Sequence, residues 1–368
     1  MSANPSQSDA SERMKSYLQK IAAGPKMSKD LTRDEAEDAL SLILNDEVSS
    51  ERAAVFLIAA RMKLETLEEN IGYWKALDAT TVTQEVNFDK LVQVAEAFDG
   101  FERTPLFTFY TIPLLAEIGL PIYGHSALPL PPKFGITFED LLVNHYGIAA
   151  DQTFDQRKML IEKFGFGYLS TQQSHPKLDA LKNLRTEIVK RPMLATMEKM
   201  LMPLKAKSNY LATNYFHPGY EKSMLAVAPL AGWDIAMVGN GMEGTTLYGV
   251  HKMAKLFIHL NKIGVQEKKL DASRDLDTAT AQQIQEAFEA LKKIPASREN
   301  VAELGEQALQ GKGGPAAYLI AWQAATLGCF FGRLPDVRSG YNTAKQTLKS
   351  GSGYSKLLGY LKDSRELN

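Results

Sequence analysis

A short apolar segment followed by a cluster of glycines is the part of the chain best suited to binding a ligand. Residues 235–238 (I-A-M-V) have the length of a buried strand, and Gly239, Gly241 and Gly244 follow directly. Glycines let the backbone approach a ligand closely, and ligands of open α/β sheets bind at the carboxyl ends of strands. Glu243 is the one charged residue in this loop. The pattern fits a ligand-binding loop with one carboxylate, and equally a tight turn with a surface glutamate.

A local excess of positive charge between residues 175 and 208 is a second candidate for binding. This stretch carries eight lysines and arginines against three acidic residues, although the whole chain has 42 basic and 43 acidic residues and a net charge of −1. Such an excess is typical of an anion pocket or a nucleic-acid groove, and also of a solvated helix face. The candidates for contact with nucleic acid are Lys177, Lys182, Arg185, Lys190, Arg191 and Lys199.

Other residue types that carry chemistry form no recognisable site. Cys329 is the single cysteine, which excludes an intramolecular disulfide and a multi-cysteine zinc site. His125 follows a strand-length run and is the histidine best placed to contact a ligand, whereas His145, His251 and His259 show no metal-ligand spacing with one another. No serine lies in a G-x-S-x-G nucleophile elbow.

Nothing in the sequence indicates a membrane or secretory segment. No apolar run reaches the ~18 residues that suggest a membrane-spanning helix. The N-terminus (M-S-A-N-P-S-Q) is polar and does not resemble a signal peptide. We therefore expect a cytoplasmic protein without a membrane partner, and a disordered tail over residues 1–13.

Two domains of different character must position these residues. Residues 14–78 have helical periodicity, with a capping box opened by Thr32, and their four short helices predict a small bundle. Helical patterns over residues 137–164 are expected to complete it. Residues 79–136 and 165–368 contain strand-length apolar runs that alternate with helices, which indicates a mostly parallel central sheet surrounded by helices. The predicted fold class is α/β with a small N-terminal helical bundle domain.

Six motifs in chain order resemble those of the anthranilate phosphoribosyltransferase group, within the glycosyltransferase family that also holds the pyrimidine nucleoside phosphorylases. The resemblance covers nearly the whole chain, from about Met14 to Leu361. The motifs are Ala59–Asn70 (A-A-R-M-K-L-E-T-L-E-E-N), Gly119–Ile122 (G-L-P-I), Phe164–Leu169 (F-G-F-G-Y-L) followed by His175-Pro176, the arginines Arg185 and Arg191, Phe216–Pro218 (F-H-P), and Gly239–Glu243 (G-N-G-M-E).

The resemblance implies a cleft between the two domains, a phosphorylated ribose ligand, and a homodimer formed through the helical domain. It also implies that Arg185 stands where the family binds its aromatic carboxylate substrate. The residues expected to contact a ligand are Gly100, Arg103, Thr104, His125, Lys182, Arg185, Gly241 and Glu243.

Three stretches depart from the family pattern where phosphoribosyl transfer needs charge stabilisation. The reaction releases pyrophosphate, whose charge is stabilised by glycine-loop N–H groups and Mg²⁺. Residues 98–104 (F-D-G-F-E-R-T) keep only Gly100 of the family's G-T-G-G-D loop, and residues 124–127 (G-H-S-A) lack its phosphate-binding lysine. Glu243 is followed by glycine, so one carboxylate stands where the family has two. Glu243 is the only candidate metal ligand, and Mg²⁺ is expected only if phosphoribosyl pyrophosphate is still bound.

Two hypotheses follow from these departures. In the first, the protein is similar to anthranilate phosphoribosyltransferase but has degraded diphosphate and magnesium sites, so efficient anthranilate phosphoribosyl transfer is not expected and the ligand or acceptor has changed. If it is active, it is a pentosyl (phosphoribosyl) transferase. In the second, it is a non-catalytic dimer that binds single-stranded nucleic acid along the basic helix of residues 175–207. A non-catalytic subgroup of the family, to which the losses here look similar, binds nucleic acid through basic helices.

Overall fold

A helical N-terminal part precedes a seven-stranded sheet in the computed structural model, which describes residues 5–24 and 26–367. The helices are α1 (Pro5–Ile21), α2 (Arg33–Leu44), α3 (Ser50–Lys63), α4 (Leu67–Ala79), α5 (Thr108–Ile118), α6 (Phe138–Asp140), α7 (Phe154–Phe164), α8 (Thr171–Ser174), α9 (Pro176–Asp179), α10 (Lys182–Glu187), α11 (Leu194–Met197), α12 (Tyr220–Val227), α13 (Ala272–Asp275), α14 (Thr278–Leu291), α15 (Arg298–Leu309), α16 (Pro315–Phe330), α17 (Val337–Ser350) and α18 (Ser352–Glu366). The strands are β1 (Gln84–Glu85), β2 (Lys90–Ala95), β3 (Ile122–Ser126), β4 (Phe166–Ser170), β5 (Leu204–Lys205), β6 (Ser208–Asn214), β7 (Ile235–Gly239), β8 (Ala254–Leu260) and β9 (Gly264–Leu270).

The N-terminal bundle consists of α1–α4, and two of these helices begin at the capping residues that the sequence indicated. The side chains of Thr32 and Thr66 each accept a backbone N–H in a complete capping box at the start of α2 and α4. Helix α1 begins at Pro5, so the tail expected up to residue 13 is wrong for residues 5–13, and residues 1–4 lie outside the described part. Ala10, Met14, Tyr17 and Ile21 supply the reason: at helical spacing they form one apolar face that is buried in the bundle core.

The bundle is completed by a different part of the chain from the one expected. Its core includes Met193, Met197 and Met200, from α11 and its surroundings, and Met224 and Val227 of α12.

Residues 137–164 pack elsewhere, so the prediction that they complete the bundle is wrong. Leu141, Leu142 and Leu160 belong to the core on the other side of the sheet, and α7 lies against β4 and α18. The prediction failed because the apolar periodicity of a helix shows that one of its faces is buried. It does not show whether that face packs in the bundle or against the sheet.

The central sheet has the order β4-β3-β2-β6-β7-β8-β9. Strands β4, β3, β2, β6 and β7 are parallel to one another, β8 pairs with β7 in antiparallel orientation, and β8 and β9 form an antiparallel hairpin at one edge. The mostly parallel sheet of the prediction is therefore confirmed. Because parallel strands have their carboxyl ends at one edge, the loops after β2, β3, β6 and β7 meet there.

Helices cover both faces of the sheet. On one face lie α5 and the C-terminal helices, of which α16 is apolar around most of its circumference and buries Trp322 completely. On the other face Ala95, Leu211, Ala236 and Val238 point toward the bundle core. No helix in the described ranges is both long and apolar enough to cross a lipid bilayer.

Candidate functional site

A cleft of about 830 Å³ lies between the helical bundle and the carboxyl edge of the sheet. The bundle contributes residues 61–65 and Asn70, and the sheet edge contributes the loops after β2, β3, β6 and β7. Residues 185–199, which connect α10 to α11 and its following turn, form a third wall. The volume of the cleft falls in the range of small-molecule binding pockets.

Glu243 binds the loop that follows β2. The backbone N–H groups of Arg103 and Thr104 donate to its carboxylate at N–O distances of 3.2 and 3.1 Å, and that of Glu102 lies 3.5 Å from Oε1. Successive N–H groups that converge in this way form an anion-binding nest. Glu243 reaches it from a left-handed backbone conformation, with φ 48° and ψ 21°. An internal carboxylate therefore fills the nest.

A second loop, residues 129–136, packs across the first. The backbone N–H of Gly135 donates to the carbonyl of Asp99 at 2.9 Å, and Phe101 and Ile136 exchange two backbone hydrogen bonds. Gly100 is required at this crossing, because it has φ 74° and a Cβ would lie 2.4 Å from the backbone of Gly135.

Charged side chains fasten the same two loops. Lys133 Nζ donates to the carbonyl of Gly100 and lies 3.7 Å from the Asp99 carboxylate. Arg191 Nε donates to the other oxygen of Asp99 at 2.7 Å. Asp99 thus interacts with Lys133 of the second loop and with Arg191 of the third wall of the cleft.

Arg185 is buried and paired within the chain. Its Nη1 and Nη2 atoms donate to the two oxygens of Glu198 at 2.6 and 3.1 Å, and the two side chains are 4% and 1% exposed. A bidentate arginine–carboxylate pair of this kind is strong and orientationally specific. The arginine that the resemblance assigns to a substrate carboxylate is thus paired with Glu198.

Lys199 is buried in the wall of the cleft without forming an ion pair in the described part of the chain. Its Nζ donates to the backbone and side-chain carbonyl oxygens of Asn214 at 2.5 and 3.4 Å. Burial lowers the pKa of its ammonium to about 8, an effect that Glu198 and Asp99 offset in part and Arg191 reinforces.

His125 lies behind the cleft and does not line it. Its ring packs edge-on against Phe98 with centroids 5.3 Å apart, and Nε2 lies 3.0 Å from Ser174 Oγ. Burial lowers its pKa to about 3, with a further contribution from His175. The expectation that His125 contacts a cleft ligand is therefore wrong, because Phe98 stands between.

The other predicted residues are scattered. Gly241 shapes the turn around Thr245, since a Cβ there would meet the Thr245 carbonyl at 1.8 Å, but it does not line the cleft. Arg103 does line the cleft: its side chain is 80% exposed, and its Nε lies 4.0 Å from Oε1 of Glu243. Lys177 donates to Asn45 Oδ1 at 2.6 Å, and Lys182 is half-buried outside the cleft.

Glu96 is a buried acid that the sequence did not single out. It accepts hydrogen bonds from the hydroxyls of Thr108 and Thr246 at 2.8 and 2.9 Å, and Gln323 donates to both hydroxyls. Burial raises its pKa to about 7. It borders a small cavity of about 20 Å³, which is enough for one water molecule. The sequence signal that could have identified Glu96 is its position one residue after β2, at the carboxyl edge of the sheet.

The described residues contain no group of three or more His, Cys, Asp or Glu side chains placed to hold a metal ion. Glu243, the candidate ligand, has both oxygens engaged by backbone N–H groups: that of Arg103 for Oε1 and that of Thr104 for Oε2. A divalent cation would have to replace those hydrogen bonds.

Comparison with known proteins gives consistent results for sequence and fold. Residues 15–81 match the helical bundle domain of the glycosyl transferase family. The chain is 25% identical over 279 residues to an uncharacterized protein of Aquifex aeolicus (73% of this chain, 82% of that protein). It is 23% identical over 346 residues to an anthranilate phosphoribosyltransferase of Symbiobacterium thermophilum (92% of this chain, 94% of that protein).

Two solved structures show the same fold. The anthranilate phosphoribosyltransferase of Thermus thermophilus superposes with a TM-score of 0.74 at 22% identity, covering 96% of this chain and 99% of the other. The enzyme of Saccharomyces cerevisiae in complex with PRPP and Mg superposes with a TM-score of 0.77 at 17% identity, covering 96% and 98%.

Proposed function

We propose that this chain, a divergent member of the anthranilate phosphoribosyltransferase group, binds a small molecule in its interdomain cleft and does not transfer a phosphoribosyl group from phosphoribosyl pyrophosphate. The observation that carries the proposal is the hydrogen bonding of Glu243 to the backbone of residues 102–104. This is the loop that the resemblance assigns to the diphosphate.

The nest that Glu243 fills is not available to a diphosphate. An incoming diphosphate would have to displace the carboxylate and would then lie beside it, so it would lose the donors and meet a like charge. The exposed Glu102 carboxylate in the same loop adds to that repulsion. Preorganised donors aimed at developing charge supply much of the rate enhancement in group transfer. Without them we expect no efficient transfer.

The acceptor side of the cleft supports the same proposal. Arg185 stands where the resemblance places the binding group for an aromatic carboxylate, and its bidentate partner is Glu198. A substrate carboxylate would have to break a buried ion pair, which is strongly unfavourable. Both anion-binding groups of the inherited site are thus satisfied by carboxylates of the chain itself.

The residues present do not fit a magnesium–diphosphate complex. Mg²⁺ in such sites is usually bound by one or two carboxylates together with substrate phosphates. The single carboxylate at that position, Glu243, is committed to the loop. We therefore assign no cofactor.

Calorimetric titration with phosphoribosyl pyrophosphate and Mg²⁺, together with a fluorescence assay that follows anthranilate consumption, tests the proposal. We expect no saturable binding at millimolar ligand and no anthranilate consumption above the rate without enzyme. The same assays on an active anthranilate phosphoribosyltransferase serve as the positive control. Turnover by this protein would overturn the proposal.

Binding of single-stranded nucleic acid along residues 175–207 has less support. Arg185 and Lys199 are buried and Arg191 binds Asp99. The other cations of the stretch are Lys177, Lys182, Lys190, Lys205 and Lys207, of which Lys182 is half-buried and Lys207 pairs with Asp89. These dispersed cations give a weak electrostatic footprint. Filter binding with a labelled oligonucleotide decides this point, because phosphate contacts weaken steeply with added salt.

A homodimer formed through the helical domain is the remaining part of the proposal. Val55 and Met62 lie seven residues apart on α3 and are 51% and 77% exposed. That spacing puts both on one face of the helix, where they form an apolar surface suited to a second copy.

A further inference from the structure

We propose that Lys199 is a reactive amine that condenses with a carbonyl compound entering the cleft, forming an imine. This inference rests on the proposed function, because it requires a cleft that admits a small molecule other than phosphoribosyl pyrophosphate.

Among the cations that line the cleft, Lys199 is the one within the described residues that is buried and has no acidic partner. Arg185 is paired with Glu198, and both Arg191 and Lys133 lie within 4.0 Å of Asp99. Lys199, which is 5% exposed, has only the neutral oxygens of Asn214 as hydrogen-bond partners within the described residues.

The surroundings of Lys199 favour its neutral form more than those of a surface lysine. Burial lowers its pKa to about 8, and Arg191 acts in the same direction. Glu198 and Asp99 oppose this, but each is already hydrogen-bonded to an arginine. With a pKa of about 8 roughly a tenth of the amine is neutral at about pH 7, whereas an ordinary lysine with a pKa of about 10.4 is neutral to less than about a thousandth.

A neutral amine in this position can react as a nucleophile. Its nitrogen lone pair forms a bond to the carbonyl carbon, and the electrons of the C=O π bond move to oxygen. The carbinolamine then loses that oxygen as water, which carries away both amine protons, and a C=N bond remains. The carbonyl oxygens of Asn214 fix the direction of Nζ before attack. No oxidant or reductant takes part.

The mouth of the cleft indicates an aldehyde or ketone with an apolar body. Leu64, Val189 and Phe216 line it and are 67%, 59% and 69% exposed. Leu64 and Val189 also have positive φ, 69° and 61°, a conformation that is strained for branched side chains. Their apolar surface would be covered by the body of the bound compound.

Reductive trapping tests the inference. The intact protein is treated with 3-phenylpropanal and cyanoborohydride at about pH 7, and adducts are located by peptide mass spectrometry. We expect the Lys199 adduct to form at least about tenfold faster than the median lysine adduct, since about a hundredfold more of its amine is neutral. Raising the pH should narrow this ratio, because surface lysines then lose their protons as well.

Matched variants identify the reacting group. Lys199→Met should abolish the dominant adduct, whereas Lys222→Met, which removes an exposed amine on α12 outside the cleft, should leave it unchanged. If Lys199→Met does not fold, Lys199→Arg keeps a cationic donor for Asn214 and still cannot form the imine. Equal labelling of Lys199 and the surface lysines, or an unchanged dominant adduct in a folded Lys199 variant, would overturn the inference.

The two proposals fail in different ways. Turnover of phosphoribosyl pyrophosphate would remove the proposed function whatever the labelling shows. Absence of selective labelling in a protein that is inert toward phosphoribosyl pyrophosphate would remove only the role of Lys199.

Discussion

The backbone nitrogen of Thr104 lies 3.1 Å from Oε2 of Glu243, which joins the loop after β2 to the loop after β7. The two loops at the edge of the cleft therefore bind each other through this carboxylate.

Removing the carboxylate of Glu243 should restore anion binding by the loop. Glu243→Gly frees the N–H groups of residues 102–104, and glycine adopts the positive φ of this position without strain. We expect the affinity for inorganic pyrophosphate to rise by about tenfold or more, since a charge-assisted hydrogen bond contributes about 1.5–3 kcal/mol. Calorimetric titration measures the change.

Glu102→Ala is the matched control for that experiment. It removes one acidic residue from the same loop and leaves the hydrogen bonds of Glu243 in place. Its pyrophosphate affinity should change by no more than about threefold, as expected for an exposed charge. Equal gains in the two variants would mean that net charge, and not the freed N–H groups, governs binding.

Breaking the Arg185–Glu198 pair should destabilise the fold. Both side chains are almost fully buried, and removing one partner leaves an uncompensated charge at a cost of about 3–5 kcal/mol. Denaturant unfolding of Arg185→Met should show a loss of that size. The double variant Arg185→Met with Glu198→Met should be more stable than Arg185→Met, and a double variant as unstable as the sum of both single changes would refute the coupling.

Protonation of Glu96 should make stability depend on pH. Its pKa is raised to about 7 in the folded protein, against about 4.3 in an unfolded chain, so the folded state holds the proton more tightly. This stabilisation is complete below about pH 4 and is lost as the pH rises through about 7. Its full size is of the order of 3 kcal/mol.

Glu96→Gln should remove this part of the pH dependence, because the amide cannot ionise. The difference in unfolding free energy between wild type and variant, measured between about pH 5 and 8, isolates the effect of Glu96 from other groups. Glu286→Gln, at an exposed position on α14, should follow the wild-type curve. A parallel wild-type and Glu96→Gln curve would show that Glu96 titrates normally.

The exposed apolar face of α3 should mediate self-association. Light scattering coupled to size exclusion should give a dimer for the wild type. Met62→Glu should give a monomer, because a charge in an apolar interface loses hydration without gaining a partner. Met253→Glu, at an exposed apolar position beside β8 in the α/β domain, should remain dimeric. A monomeric wild type would remove the dimer from the proposal.

Local sequence signals were sufficient to predict the helical bundle and the mostly parallel sheet. Capping at Thr32 and strand-length apolar runs depend on neighbours within a few residues, and the bundle and the mostly parallel sheet follow from them. The start of α1 was missed because polar residues hide the apolar spacing of Ala10 and Met14.

The contents of the cleft could not be predicted in the same way. Glu243 and Thr104 are 139 residues apart, so only the folded chain shows that the carboxylate turns inward. Arg185 and Glu198 are 13 residues apart across an irregular connection, a spacing that corresponds to no helix or strand repeat. His125 is at the strand end as expected, but the bulk of Phe98 separates it from the cleft.

The attachment of Glu243 to the chain makes it a tethered competitor for any anion in solution. A group held by a short tether acts at an effective concentration in the millimolar range or above. A dissolved phosphate must therefore bind the loop far more tightly than the glutamate does before it can exchange with it. We therefore expect the occupancy of this loop to change little with ordinary variation in the concentration of free phosphate compounds.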